Sequence, residues 1–135
     1  MSKSAIYTVN PATQEVAVDG VINLGSIIRR YGPNLNLNGV GILISGMGYY
    51  DLDASITLVP IAEGEVTVTA YKDGVAIPGA VATETAGAAG DYVNLSINSL
   101  IREACPCCDG LSSVTFVLSG GAASVTNMAV VIEKI

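Results

Sequence analysis

Three cysteines crowd one short stretch, Cys105-Pro106-Cys107-Cys108, and two carboxylates, Asp51 and Asp53, stand two residues apart. Thiolates bind soft metals or pair as disulfides. A structural zinc, however, takes four ligands, usually as two separated pairs, and this chain has no second cysteine pair and no histidine. An odd, clustered set is not the framework of a small disulfide-stapled fold either. The simplest reading of Cys105, Cys107 and Cys108 is reduced thiols in a turn pinned by Pro106. Inter-subunit disulfides, or a metal shared near a symmetry axis, are the alternatives. Asp51 and Asp53 share one face of a strand by their spacing. Such a pair can hold calcium or exchange protons. Apolar residues alternate on the other face, so a solvated outer face is the simpler account. Glu63 and Glu65 flank Gly64 in a turn and read the same way.

Other chemistry is excluded by what the motifs lack. Without histidine there is no Ser-His-Asp or Cys-His arrangement and no common general base. Gly39-Val-Gly41 and Gly46-Met-Gly48 precede strand-like sequence, whereas a phosphate cradle needs glycines that open a helix. They read as turns. Asn94-Leu-Ser96 fits the glycosylation sequon but sits in a strand pattern of a chain with no export signal. The expectation is a protein without catalytic residues and without a cofactor.

Composition points the same way. Of 135 residues, 50% are hydrophobic and only 13% are charged, against about 25% charged in an average soluble domain. One domain of this length can bury a core, and its apolar content argues against disorder. Twelve acids against six bases leave a net charge of -6. Arg29 and Arg30 are the one adjacent basic pair, too little for phosphate neutralisation, so nucleic acid is not an expected partner. Residues 31–50 contain Pro33 and three asparagines, and residues 110–132 are broken by Gly120-Gly121 and by Ser and Thr. Neither resembles the ~20 predominantly apolar residues of a spanning helix, and membrane is likewise not expected. The amino terminus has no apolar h-region, which predicts no signal peptide and synthesis in a cytoplasm.

The elements that must position these residues are strands. Period-two alternation dominates: Glu15 to Asp19, Asn34 to Asn38, Tyr49 to Val59 and Glu65 to Tyr71 all carry it, and Val40 to Ile44 reads as an apolar strand. In the longest of these, Tyr50, Leu52, Ala54, Ile56 and Leu58 share a face. Asp73-Gly74 is a turn signal, and two short strands, Val75 to Ile77 and Ala80 to Thr85, flank Pro78-Gly79. Val93, Leu95 and Ile97 oppose Tyr92, Asn94, Ser96 and Asn98, and Ser99 to Ala104 is expected as one helical turn. Ile6 to Val9, Ser113 to Leu118 and Ala123 to Ile135 complete the set; Leu24 to Arg30 is either a strand or an irregular crossing. About eight to ten strands at spacings of roughly 8–12 residues indicate an all-β antiparallel sandwich or barrel. Six tyrosines against one phenylalanine suit surfaces where one end is apolar and the other wet, such as subunit interfaces or sugar-binding grooves.

From Asn36 onward the order of motifs resembles the tumour-necrosis-factor-like jelly roll, the fold of complement globular heads and of spore-surface terminal domains. Gly48-Tyr49-Tyr50-Asp51-Leu52 is similar to the family's Gly-x-Tyr opening of a central strand. Val66-Thr-Val-Thr-Ala-Tyr71-Lys-Asp-Gly74-Val-Ala-Ile-Pro-Gly79 is similar to its strand, turn and short strand. Ser124-Val-Thr-Asn-Met-Ala-Val-Val-Ile132 is similar to its closing central strand. The resemblance implies a β-sandwich jelly roll and a homotrimer; candidate interface residues are Tyr49, Tyr50, Tyr71 and Phe116. The whole chain also resembles small virion proteins of tailed bacteriophages, which implies capsid decoration or a head fibre. The expected organisation is then an extended N-terminal arm or anchor over residues 1–30, with the first strands, and a jelly roll over 31–135. Ile6, Tyr7, Val9, Arg29 and Arg30 are the candidates for attachment to the major capsid protein or other virion proteins, and the expected location is the virion. A host glycan, met by loops 86–91 and 105–110, is the rival partner.

Overall fold

The computed structural model describes residues 3–103 and 111–135. The cysteine cluster and the loop 105–110 lie outside the described residues. Eleven strands and no helix form the described chain. They are β1 (Ala5–Asn10), β2 (Gln14–Val16), β3 (Ser26–Tyr31), β4 (Leu35–Asn38), β5 (Gly41–Ser45), β6 (Gly48–Pro60), β7 (Gly64–Lys72), β8 (Val75–Ala86), β9 (Val93–Glu103), β10 (Leu111–Ser119) and β11 (Ala123–Lys134). One sheet runs β3-β1-β11-β6-β9, with β2 also on β11; the other runs β4-β5-β10-β7-β8. Every pairing is antiparallel, and the two sheets close as a jelly-roll sandwich.

Alternation decides which residues enter the core. On β6, Tyr50, Leu52, Ala54, Ile56 and Leu58 are buried; on β9, Val93, Leu95, Ile97 and Ile101 are. From the opposing sheet come Ile42, Ile44, Val66, Val68, Val114, Phe116 and Leu118. Period-two strands can bury one face only, so the residues between these project outward. Ile22 and Leu24 are fully buried in the same core. Their segment crosses irregularly, held by the Asp19 amide on the Leu118 carbonyl (2.7 Å) and the Ile22 amide on the Phe116 carbonyl (2.8 Å).

Three expectations are corrected. First, residues 1–30 are not an extended arm: β1 lies inside the sheet, paired along its length with β11 (Ala5↔Glu133 to Asn10↔Met128) and with β3. Two glycines bracketing β3 make this fit. Gly25 (φ 82°) and Gly32 (φ 83°) adopt the left-handed region. A Cβ on Gly25 would run into Val9 and Asn10, and one on Gly32 into Lys3 and Ser4. Second, Ser99 to Glu103 is no helical turn; the ladder with β6 continues to Gly48↔Glu103 and supplies the backbone bonds. Third, Pro78-Gly79 does not split a strand. The β8 strand is a sheet edge, where a residue lacking an N–H costs no ladder bond, and residues 77–80 bulge out of the ladder between Ala76↔Tyr71 and Val81↔Thr69 while the strand runs on to Ala86.

A buried polar cluster ties the strands together near one end. Glu103, only 5% exposed, accepts a hydrogen bond from Ser112 Oγ and has Lys72 Nζ at 3.8 Å. Lys72 Nζ also donates to the Arg102 carbonyl at 3.0 Å. The Tyr50 hydroxyl, on the core side, donates to the Ser45 and Gly46 carbonyls at 3.1 and 3.0 Å. Burial first, and the charge of Glu103 second, push the Tyr50 phenol above its ordinary 10.0. A phenol whose folded pKa is raised contributes stability that is complete below the unfolded value and disappears as pH climbs through the folded one. The expected outcome is loss of stability on alkaline titration above pH 10.0 that is flattened in Tyr50→Phe, read by urea denaturation across pH. Separately, Gly32→Ala is expected to cost more than ~1 kcal/mol, because the added methyl is strained by φ and clashes with Lys3 and Ser4 just before β1; equilibrium unfolding measures it.

Candidate functional site

The outward face of the six-stranded sheet gathers most of the exposed candidates. Register places its side chains in rows. One row reads Arg29, Tyr7, Val131, Asp53 and Asn98 from β3 to β9. The next reads Tyr31, Ala5, Glu133, Asp51 and Leu100, and on the other side lies Ser26, Val9, Ala129, Ser55 and Ser96. Thr57 and Asn94 follow, with Thr57 Oγ1 donating to Asn94 Oδ1 at 2.8 Å. Asn98 Nδ2 donates to Asp53 Oδ1. Small side chains in the third row leave a depression of about 350 Å³ between Asp53, Asn98, Val131 and Ala129.

The face is oddly apolar for a surface. The central β11 strand reads Met128-Ala-Val-Val-Ile132, a continuous apolar run rather than an alternating one. Met128, Val130 and Ile132 fill the core, while Ala129 and Val131 point out. Continuous apolar strands belong to sheets covered on both faces. Tyr7, Tyr49, Leu100 and Val131 are exposed around them. Charge gathers towards one end: Asp51, Asp53 and Glu133 sit together, Arg29 and Arg102 stand at opposite borders, and at the other end Glu15 on β2 lies beyond rows of Ser, Thr and Asn.

The sequence-derived interface residues divide. Tyr49 is 47% exposed on this face, beside Arg102. Tyr50 and Phe116 are fully buried inside the protomer; both lie on inward positions of alternating strands, so they fill the core and offer a neighbour nothing. Tyr71 is half-buried on the other sheet, opposite Ala76 and Thr115. Of the attachment candidates, Ile6 is core (1% exposed). Tyr7, Val9 and Arg29 share the face with Tyr49, and Arg30 is engaged by its Nε donating to the Leu35 carbonyl. Two sets read separately thus converge on one surface. Val131 and Leu100 were missed. The signal for Val131 was the unbroken apolar run itself; Leu100 lay in the segment expected to be helical.

A second feature is a cleft of about 310 Å³ at the turn between β8 and β9, lined by Glu84, Thr85, Asp91, Tyr92 and Asn94. Tyr92 stands over it 71% exposed. The turn is held by the Gly90 amide on the Pro60 carbonyl at 3.2 Å. Among the described residues no group of three or more Cys, Asp or Glu is disposed to hold a metal ion, and no helix is long and apolar enough to cross a membrane.

No protein-family model and no curated protein matches the chain. Solved structures do. Eiger TNF from S. frugiperda superposes with a TM-score of 0.70 at 9% identity, covering 98% of this chain and 91% of its own. The globular domain of zebrafish complement 1qA gives 0.68 at 9% identity, with 97% and 94% covered. The PRD1 vertex protein P5 gives 0.63 at 15% identity, with 99% and 96% covered. The rows, the two five-strand ladders and these superpositions agree, and the chain is a TNF-like jelly-roll domain in fold.

Proposed function

We propose that the protein is a non-catalytic structural subunit of a tailed-bacteriophage virion, a homotrimeric capsid decoration or head-fibre module that binds the capsid. The observation that carries the reading is the apolar outer face of the six-stranded sheet, with Ala129 and Val131 pointing outward from the middle of an otherwise core-like strand. Contiguous apolar surface of this kind is removed from water by association. A threefold ring uses the same face three times and closes. Likeness in fold to a vertex protein supports a place on a particle, and the fold of TNF and complement heads supports the trimer that the sequence resemblance implies.

The cleft beside Tyr92 favours a second reading, a trimer that displays a glycan-binding loop. An exposed aromatic ring beside carboxylate and amide groups suits the apolar face and hydroxyls of a neutral sugar. The 86–91 loop singled out from the sequence lies at this cleft.

Size-exclusion chromatography with light scattering is expected to return three times the 13.7 kDa protomer mass; the mass of a single protomer would rule out the trimer. Purified trimer is expected to co-sediment with heads stripped of it and to leave a glycan array unlabelled. An array hit abolished by Tyr92→Ala, without head binding, would favour the second reading.

A further inference from the structure

Among the described residues, the acids on the outer sheet face are not paired with a cation within one copy. Asp51, Asp53 and Glu133 occupy neighbouring positions on β6 and β11, with Glu133 directly opposite Asp51. Like charges directly opposite are destabilising. Among the described residues the one ion pair within 4.0 Å is Lys72 with Glu103, on the far side of β9's alternation. No side-chain cation satisfies the three acids. If this face packs against a second copy, they lose solvent as well, and that is costly without a partner charge.

Three cations border the face: Lys3 just before β1, Arg29 on β3 and Arg102 on β9. Their surroundings differ. The β3 strand is a lone sheet edge, exposed along its whole length. Arg102 stands where the edges of both sheets, β8 and β9, come together. It lies between two depressions, one of about 420 Å³ with Val75, Ile77, Pro78 and Leu100, the other of about 340 Å³ with Met47 and Tyr49. Val75 and Leu100 are 70% and 56% exposed. This border is therefore apolar, with Arg102 as its exposed cation and Asp73 at the rim of the larger depression. The middle of the face it would meet is apolar beside three carboxylates, so Arg102 and the acidic rows complement each other.

Resting on the trimer reading above, we propose that the partner of the acidic rows is a second copy of this chain: Arg102, on the β9 border of one protomer, pairs with Glu133 and Asp51 on the sheet face of the next. Around a threefold axis the contact repeats head to tail, border to face, and each acid cluster receives one guanidinium. The pair orients the assembly. Apolar contact around it supplies most of the attraction, and the charges decide which border docks.

The test is a charge swap in the full chain, read by native mass spectrometry and light scattering over a dilution series. Arg102→Glu and Glu133→Arg are each expected to raise the trimer's dissociation constant at least about tenfold. The double variant R102E/E133R is expected to return to within about threefold of wild type. Glu63→Lys, in the exposed turn before β7, is expected to leave the trimer intact. All the positions are exposed, and near-UV circular dichroism of each variant verifies its fold. A trimer indifferent to Arg102→Glu, a double variant that is not rescued, or equal dissociation by Glu63→Lys would overturn the pairing and leave the trimer standing. A monomeric wild type would overturn both.

Discussion

The position of β11 constrains everything else. It is hydrogen-bonded to β1 on one side and β6 on the other, with β2 sharing part of its length. Met128, Val130 and Ile132 seal the sandwich from within. Because its outward residues are apolar too, the strand that closes the core also creates the surface that calls for a neighbour. The fold holds this arrangement through its longest-range pairing, Ala5↔Glu133.

Assembly follows from the same alternation. A small sandwich buries one face of each sheet and must leave the other to solvent or to a partner. The five-stranded sheet answers with half-exposed threonines: Thr67, Thr69 and Thr115 project outward, and Thr67 bonds Thr83 across the ladder at 2.9 Å. The six-stranded sheet answers with Tyr7, Ala129, Val131 and Leu100 in its middle rows, with Asp51, Asp53 and Glu133 beside them and serine, threonine and asparagine beyond.

Much of this was legible in the sequence, in proportion to how local the cause was. The β6 and β9 strands could be read because polar and apolar residues alternate strictly along them. Asp51 and Asp53 were assigned outward correctly for that reason. The same alternation turns Tyr50 into the core, against its expected place at an interface. Phe116 was misassigned although the alternation of Val114, Phe116 and Leu118 pointed it inward; its aromatic character outweighed its phase. The arm was misread because Asn10-Pro11, Gly20 and Gly25 punctuate it locally, whereas what holds it is the far end of the chain. Pro78-Gly79 marks a strand end in an interior position but not at a sheet edge, and edge positions are a property of topology. The Lys72–Glu103–Ser112 cluster joins strands of both sheets, and no spacing rule could have assembled it.

The central claim is that the outer face of the six-stranded sheet is covered in the working molecule. Hydroxyl-radical footprinting of the purified protein, resolved to single tyrosines, tests it most directly. The isolated protomer exposes Tyr7, Tyr49 and Tyr92 by 37%, 47% and 71%. If the face is buried by neighbours, Tyr7 is protected well beyond that ratio while Tyr92 is modified freely, and protection fades on dilution. Modification of Tyr7 and Tyr49 in proportion to their protomer exposure, at every concentration, would contradict the account.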